Sequence, residues 1–329
     1  MSTIKKYIPA SVKPAFKMVR TFKNKVLARF YWPEVIKSNP EKHANYDMKR
    51  QKQHILRPVD LHDPIYFNEK MLWLKYNYYN SSPLVAQCFN KYYVRKYIES
   101  KGLGHILNEL YGAWDSIDEI PWNTLPDEYV MKVAKGYGDH VFRRKNHVFD
   151  VEEAKEKLSK SIKQFSYFYY MMGDLFVEKT PQKIICERML ESSFGCEAPE
   201  DYKFYCFNGK PLYVEIMMDR NSTKTYKYIE KFLDINYNDR HELEGEATPG
   251  TIEKPECYDE MVKIAEILSR DFPFVRVDLY VQHGKPIFGE LTFTPYHKQT
   301  EQSLVELGDA LDITNVEKYC HILGKSVGM

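Results

Sequence analysis

The residues best suited to chemistry lie near the C-terminal end of the chain, on two apolar segments joined by a glycine-containing turn. Such a pair of segments favours a β-hairpin whose register places Asp278 opposite Glu290 and Arg276 opposite Thr292. All four side chains then share one face, because side chains alternate along a strand. Facing carboxylates repel each other unless a cation or a proton lies between them. An oxygen-rich face with few protein ligands suits Mg²⁺, so the hairpin is a candidate site for the metal ion of a nucleotide.

The alternative for this hairpin is a solvated face, or a structural pair between Arg276 and Asp278, since surface hairpins often carry scattered charges. Both acids, however, lie inside strongly apolar segments, residues 274–279 and 287–293. Burying unpaired carboxylates in such strands is costly. The apolar surroundings therefore favour a bound cation.

A second candidate group lies in the middle of the chain, where Lys132 belongs to a predicted strand over residues 129–134. Gly136 and Gly138 follow it. A lysine fixed beside a glycine loop can contact phosphate oxygens while backbone N–H groups close over them. The same glycines could also form an ordinary hairpin turn, and the Walker A pattern is absent.

Three further polar residues lie in or beside predicted strands. Glu187 interrupts an apolar run over residues 184–190, where it could bind adenine or a lysine, or lie on an exposed edge strand. Asp201 and Lys203 share one face of the next strand because they are two residues apart. They could contact a ribose hydroxyl and a phosphate, or simply form an ion pair.

Composition excludes several classes of protein. The chain has 329 residues and a formal net charge of +1, which gives no reason to expect nucleic acid binding. Its six cysteines are scattered without a CxxC pair, which predicts reduced thiols rather than a zinc site or a disulfide framework. No signal peptide and no run of about eighteen apolar residues is visible, which predicts a soluble, cytoplasmic protein. The sequence motifs of serine hydrolases, zinc peptidases and dinucleotide-binding domains are also absent.

The N-terminal 60 residues are basic, and lysines and arginines alternate there with large apolar residues from Phe16 to Trp32. This pattern is typical of an amphipathic helix that lies on an anionic membrane surface. The alternative, which the pattern favours, is a solvated helix packed on the body of the protein. The sequence leaves both interpretations open.

The elements that must position these residues follow from periodicity and from turn signals. Helical spacing covers residues 67–101, a helix capped by Asp150 runs to Gly173, and a further helix covers 256–270. Strands are predicted at 129–134, 141–142, 184–187, 202–207 and 212–217, before the final hairpin. This order indicates an α+β fold with antiparallel sheets rather than a doubly wound parallel sheet.

Together these features resemble the ATP-grasp superfamily, and within it the TupA-like branch linked to teichuronopeptide and polysaccharide biosynthesis. The resemblance covers residues 60–300, and it depends on the order and spacing of several modest motifs. These motifs are Asn90 to Arg95, Leu110 to Trp114, Leu125-Pro126 with Tyr129 to Lys132, Ile185 to Arg188, Asp201 to Phe204 with Phe207 to Lys210, and Phe274 to Pro295.

The resemblance implies roles for individual residues. Two lysines would hold the nucleotide phosphates beneath the glycine loop, a short segment after a strand would contact adenine, and an acid on the next strand would bind ribose. An arginine would stabilise the acyl phosphate as it forms, and the metal ligands would include a threonine where the family commonly has asparagine. The corresponding residues are Lys91 and Lys132 with Gly136 and Gly138 for phosphate, Glu187, Arg188, Met189 and Leu190 for adenine, Asp201 for ribose, Arg276 and Lys132 for catalysis, and Asp278, Glu290 and Thr292 for metal. Lys203 joins the candidate nucleotide contacts because of its place on the strand beside Asp201.

The activity implied is an ATP- and Mg²⁺-dependent carboxylate–amine ligase that forms an amide through an acyl phosphate. Its partner would be a glycan acid or amine, with an amino acid as the second substrate, in capsule, O-antigen or teichuronic-type polymer synthesis. Asp219, Arg220, Lys224 and Lys227 are candidate substrate contacts, or else part of a solvated loop. A glycosyltransferase that uses a sugar nucleotide and a non-catalytic scaffold of a polysaccharide assembly complex are the competing interpretations.

The same resemblance predicts three segments along the chain. Residues 1–88 would form a mainly helical N-terminal region, residues 89–190 the subdomain with the lysine strand and the glycine loop, and residues 191–329 the subdomain with the metal-binding hairpin. The two subdomains would enclose the nucleotide between their antiparallel sheets. The basic N-terminus could contact the inner face of a membrane or the assembly machinery.

Overall fold

The computed structural model describes residues 22, 26–136, 140–192, 198–218, 229–244, 250–295 and 300–320. Within these residues the chain forms two antiparallel sheets and nine α-helices. The first sheet has four strands in the order β1-β4-β2-β3. Its strands are β1 (Leu110–Trp114), β2 (Tyr129–Val133), β3 (Val141–Arg143) and β4 (Ile184–Glu187).

The second sheet has five strands in the order β7-β6-β5-β8-β9. Its strands are β5 (Asp201–Phe207), β6 (Lys210–Met218), β7 (Ile229–Asp234), β8 (Phe274–Gln282) and β9 (Lys285–Thr292). The turn between β5 and β6 is Asn208-Gly209, whose φ angles of +50° and +84° are the positive values that a tight two-residue hairpin requires. Each pair of neighbouring strands in this sheet is antiparallel.

The helices pack around the two sheets. They are α1 (Trp32–Ser38), α2 (Pro40–Gln51), α3 (Phe67–Leu74), α4 (Pro83–Phe89), α5 (Val94–Ser100), α6 (Val151–Met172), α7 (Tyr258–Ser269), α8 (Glu301–Ala310) and α9 (Glu317–Cys320). The long helix α6 begins where Asp150 accepts hydrogen bonds from the backbone N–H groups of Glu152 and Glu153, and it ends at Gly173 with φ of +76°. Both ends are as the sequence predicts, because an N-cap acid and a left-handed glycine satisfy the free backbone groups of a helix.

One apolar core runs through both sheets and the helices beside them. Two buried tyrosines connect the helical region before β1 with the second sheet and its helix. The hydroxyl of Tyr79 donates to the carbonyl of Phe274 at 2.9 Å, and that of Tyr97 donates to the carbonyl of Leu268 at 2.9 Å. The strands of the first sheet all lie within residues 89–190 and those of the second within 191–329, while the subdomain boundaries themselves stay a prediction.

The predicted α+β class, the antiparallel sheets and the predicted helices and strands are confirmed. Two strands and two helices were not predicted: β1, β7, α8 and α9. The thiols of Cys88, Cys186, Cys206 and Cys257 are free and buried, as expected. Among the residues that the structure describes, none of the helices has the length and apolar character needed to cross a bilayer.

A buried polar cluster attaches α2 to the rest of the protein. The imidazole of His43 is fully buried, with its Nδ1 atom 2.8 Å from the hydroxyl of Tyr76. Its ring packs edge-on against Trp32, at 4.9 Å between centroids. Burial, with a smaller contribution from the charge of Lys75, lowers the pKa of His43 from 6.5 to about 4, although Asp47 acts in the opposite direction. His43 is therefore neutral in the folded protein at neutral pH.

Replacing His43 by glutamine is expected to change how stability depends on pH. A lowered pKa means that the unfolded chain binds the proton more readily, so the stabilisation is complete above pH 6.5 and is lost as the pH falls towards about 4. The slope of the unfolding free energy against pH should decrease in the variant by about 1.4 kcal/mol per pH unit in this window. Urea unfolding of both proteins between these pH values measures the slope, and equal slopes would contradict the assignment.

Candidate active site

A cleft between the two sheets contains nine of the site residues singled out from the sequence. Its cavity volume is about 240 Å³. The first sheet and the segment after β4 form one wall, and strands β5, β8 and β9 of the second sheet form the other. The predicted residues that line it are Lys91, Lys132, Gly136, Arg188, Met189, Leu190, Asp201, Lys203 and Glu290.

Lys91 lies between α4 and α5 and bridges the two walls of the cleft. Its backbone N–H donates to the carbonyl of Ala134 at 3.0 Å, which fixes it beside the end of β2. Its ammonium donates to the carbonyl of Gly136 at 3.1 Å and pairs with Glu290 at 2.9 Å. Asn90 holds the turn, because its side chain accepts from the backbone N–H of Tyr92 at 3.0 Å.

Lys132 and Glu187 form a second ion pair, within the first sheet. Lys132 Nζ lies 2.9 Å from Glu187 Oε2, and Arg95 Nη1 lies 3.5 Å from Glu187 Oε1. Glu187 is buried, so both of its oxygens are compensated by positive charge. The sequence left three interpretations of Glu187: an adenine contact, a lysine contact or an exposed edge residue. The structure shows the contact with a lysine. The contact with adenine stays a prediction.

A row of charged residues crosses the second sheet. Lys203 on β5 lies opposite Glu215 on β6 and Asp278 on β8, and Asp278 lies opposite Glu290 on β9. Lys203 Nζ lies 2.5 Å from Asp201 Oδ2 and 3.1 Å from Asp278 Oδ2. The predicted shared face of Asp201 and Lys203 and their ion pair are therefore both present.

The guanidinium of Arg276 binds Asp278 with two hydrogen bonds. Nε lies 2.7 Å from Oδ1, and Nη2 lies 2.6 Å from Oδ2. The same Nη2 atom donates to Thr292 Oγ1 at 3.3 Å, and this hydroxyl donates to Glu290 Oε1 at 3.3 Å. The prediction that Arg276, Asp278, Glu290 and Thr292 share one face of the hairpin is thus confirmed. The ion pair between Arg276 and Asp278, which was the alternative to a metal site, is also present.

The carboxylates differ in how readily they could bind a metal ion. Asp278 is 1% exposed, and both of its oxygens are held by Arg276 and Lys203. The side chain of Glu290 is 35% exposed and faces the cavity. Burial raises the pKa of Glu290, but the positive charges of Lys91, Lys203 and Arg276 outweigh it and lower the pKa well below 4.5. Glu290 is therefore an ionised oxygen donor at neutral pH, and such donors suit Mg²⁺.

A β-bulge at Gly289 sets the direction of Glu290. The register of the hairpin shifts by one residue between Asp278 and Leu279, so that Leu279 lies opposite Phe288. A Cβ atom on Gly289 would lie 2.8 Å from the carbonyl oxygen of Asp278 and 2.9 Å from the ring of Tyr280. Glycine is therefore needed where the bulge brings β9 close to β8.

Replacing Gly289 by alanine is expected to shift the bulge and move Glu290 away from Lys91. Overpacking of this kind costs about 1–3 kcal/mol of stability, and catalysis should suffer because the carboxylate moves. Thermal unfolding and steady-state kinetics measure the two effects. A matched control is Gly284→Ala in the hairpin turn, where no atom lies within 4 Å of the added Cβ but where the φ of +72° strains alanine, so stability should fall there without a change in the position of Glu290. Equal activity of the two variants would count against a positional role for the bulge.

Among the residues that line the cleft and were missed are His140, Phe142 and Arg144. They lie two residues apart, at and beside β3. Val130 on β2 pairs with Phe142 on β3. Because side chains alternate along a strand, Val130 and Lys132 share one face of β2, and the residues that lie opposite this face on β3 could have been identified from the sequence. Burial, with the positive charges of Lys132 and Lys91, lowers the pKa of His140 from 6.5 to about 3, so its imidazole is neutral.

Five predicted site residues lie outside the described parts of the chain. They are Gly138 in the glycine loop and the four candidate substrate contacts Asp219, Arg220, Lys224 and Lys227. Their roles stay predictions.

Comparison with protein families gives one match that covers most of the chain. The model of a family described as TupA-like ATPgrasp matches residues 69–311. This range contains both sheets, the cleft and all the residues discussed above as its lining. A search of curated proteins gives no match.

Three of the solved structures that match this chain are ligases of low sequence identity. A D-alanine–D-alanine ligase from Bacillus anthracis complexed with ATP has 15% identity and a TM-score of 0.42, over 72% of this chain and 68% of that one. The ATP-grasp ligase PsnB, complexed with a phosphomimetic precursor variant, Mg and ADP, has 12% identity and a TM-score of 0.37, over 78% and 64%. An L-amino acid ligase from Bacillus licheniformis has 14% identity and a TM-score of 0.36, over 74% and 45%. This chain therefore spans about two thirds of the first structure and less of the other two.

Proposed function

The chain belongs to the TupA-like ATP-grasp family, and from this premise we propose that it is an ADP-forming carboxylate–amine ligase. ATP would activate a carboxylate as an acyl phosphate, and an amine would then displace the phosphate to give an amide. The family also supports a place in the synthesis of a bacterial surface polysaccharide, such as a capsule, an O-antigen or a teichuronic-type polymer. The substrates would be a glycan acid or amine and an amino acid or amino sugar.

The observation that carries this proposal is the ion pair of 2.9 Å between Lys91 and Glu290. It joins the two walls of one cavity, with a lysine for phosphate on one side and a carboxylate for a cation on the other. Lys132 and Lys203 line the same cavity. The cleft therefore holds both kinds of charge that a magnesium nucleotide needs, within reach of each other.

The reaction consists of two displacements. In the first, a carboxylate oxygen of the substrate attacks the γ-phosphorus of ATP, the bond from that phosphorus to the bridging oxygen breaks, and ADP leaves. In the second, the amine nitrogen attacks the acyl carbon, the bond from carbon to the phosphate oxygen breaks, and the nitrogen loses a proton. Neither step needs a nucleophile from the protein, so the residues act by position and by charge.

The positive residues of the cleft would neutralise the phosphates. Lys91 and Lys132 would turn from Glu290 and Glu187 towards phosphate oxygens, which carry more negative charge than a carboxylate. Lys203 and Arg276 lie on the opposite wall, and Arg276 would stabilise the charge on the acyl phosphate as it forms. In the absence of nucleotide, the glutamates compensate the charge of both lysines.

The donors present fit a magnesium ion. Glu290 offers an accessible, ionised carboxylate, and Thr292 Oγ1 lies 3.3 Å from one of its oxygens. Asp278 would become a ligand if Lys203 or Arg276 released one of its oxygens. When bound, Mg²⁺ would neutralise phosphate charge and orient the transferred group.

The other end of the cavity suits the nucleoside. Met189, Leu190 and Val130 line the cavity and would provide apolar surface for adenine, and Asp201, which lines the same cavity, would bind a ribose hydroxyl. Phe142 adds an aromatic ring at the same wall. The proposed orientation places the base near residues 188–190 and the phosphates near Lys91 and Glu290.

Calorimetry with MgATP and with uridine diphosphate sugars tests the nucleotide, and a screen for ADP release against uronic acids with amino acids tests the reaction. We expect MgATP to bind and ADP to be released only when an acid and an amine are both present. Binding of a sugar nucleotide alone would instead support a glycosyltransferase. Binding of neither nucleotide would support a scaffold without catalysis.

A further inference from the structure

The first described part of the chain has an apolar surface that faces solvent. Phe22, Val26 and Phe30 follow one another at intervals of four residues, and Phe22 and Val26 are helical. They are 71%, 42% and 69% exposed. Val26 and Phe30 are spaced by four and therefore lie on one side of the helix. Phe22 has the same spacing from Val26 in the sequence, and the three exposed side chains are named here the N-terminal apolar face.

The core does not need this face, because the other side of the same segment already packs inward. Ala28 and Trp32 are buried against Val35 and Met171, and Leu27 packs beside them. The segment is thus apolar on two sides, of which one is satisfied by the protein. Phenylalanines as exposed as Phe22 and Phe30 indicate a surface that is covered by something else.

The sequence up to Tyr31, which contains this face, carries charge of one sign. Residues 1–31 contain eight basic residues and no acidic residue, although the net charge of the whole chain is only +1. Within the described part, Arg29 is exposed and its guanidinium lies 6.0 Å from the centre of the Phe30 ring. The sequence that carries the exposed residues Phe22 and Phe30 is therefore strongly basic.

We propose that the N-terminal apolar face binds an anionic lipid membrane, with Phe22, Val26 and Phe30 at the boundary between headgroups and acyl chains. Aromatic residues beside lysines and arginines are the combination that attaches a helix to such a surface. A second copy of this chain is disfavoured as the occupant, because it would bring two strongly basic segments together. The inference does not depend on the reaction in the cleft.

The test is co-sedimentation of the full chain with vesicles of phosphatidylcholine alone and of phosphatidylcholine mixed with phosphatidylglycerol. We expect binding to the mixed vesicles, weaker binding as sodium chloride is added, and little binding to the neutral ones. The double variant F22S/F30S should bind the mixed vesicles about tenfold more weakly or worse. The control V148S/V305S removes apolar side chains that are 102% and 45% exposed elsewhere on the surface, and it should bind as the wild type does.

A second variant, Arg29→Glu, keeps the apolar residues and reverses one charge, and it should lower binding to the mixed vesicles about tenfold. Circular dichroism and thermal unfolding show that each variant is folded before it is compared. Equal binding of the wild type to both kinds of vesicle would overturn the proposal, as would wild-type binding by F22S/F30S. A dimer that forms in solution without vesicle binding, and that F22S/F30S abolishes, would also overturn it and identify the face as a contact between copies.

Discussion

Replacing Glu290 by glutamine is expected to lower turnover by about 10³-fold or more while leaving the fold intact. The substitution keeps the size of the side chain and one oxygen for Lys91, which lies 2.9 Å away, but it removes the negative charge. Without that charge the cleft loses its accessible carboxylate for a cation. The measurement is ADP release under saturating MgATP, alongside thermal unfolding to show that the fold persists.

The matched control for this substitution is Glu306→Gln. The side chain of Glu306 is 31% exposed, close to the 35% of Glu290, and it pairs with Arg240 at 2.7 Å outside the cleft. It should keep turnover near that of the wild type. If Glu290→Gln and Glu306→Gln retained equal turnover, the hairpin would have no part in the mechanism.

Replacing Lys132 by alanine is expected to weaken MgATP binding by about 100-fold, because a charge-assisted contact to phosphate is lost. The same change leaves the buried carboxylate of Glu187 with Arg95 alone, at 3.5 Å. Stability should therefore fall by about 2 kcal/mol as well. Titration calorimetry measures the binding, and urea unfolding measures the stability.

A second substitution separates these two effects. In Lys132→Ala/Glu187→Gln the uncompensated carboxylate is gone, so stability should return towards that of the wild type while MgATP binding stays weak. Lys183→Ala is the matched single control, since Lys183 pairs with Asp115 at 2.8 Å beside the same sheet but does not line the cleft. Recovery of nucleotide affinity in the double variant would show that Lys132 acts only on Glu187.

Local signals were sufficient to predict the elements that carry the site. Two apolar segments on either side of a glycine turn predicted that Asp278 pairs with Glu290 and Arg276 with Thr292. The register of the hairpin confirms both pairs. A cap and a glycine defined both ends of α6. The order of these elements gave the α+β ATP-grasp fold that the family match confirms. Each of these predictions rests on contacts between residues close in sequence, or on a pattern within one strand.

The partners of the charged residues could not be predicted in the same way. The ion pair between Lys91 and Glu290 joins residues that are far apart in the sequence, and it depends on how two sheets face each other. The strand β1 escaped prediction because its five residues are only half-buried and show no clear alternation. The bulge at Gly289 was not predicted either, because a glycine close to a hairpin turn is normally interpreted as part of the turn.

The most direct test of the account follows an oxygen atom. Once the screen has identified an acid and an amine, the acid is supplied with ¹⁸O in its carboxylate, and the phosphate released with ADP is examined by mass spectrometry. An acyl-phosphate mechanism predicts one ¹⁸O atom in each phosphate, because the carboxylate oxygen that attacks phosphorus leaves with it. Phosphate that contains only oxygen from ATP and water would contradict the ligase assignment.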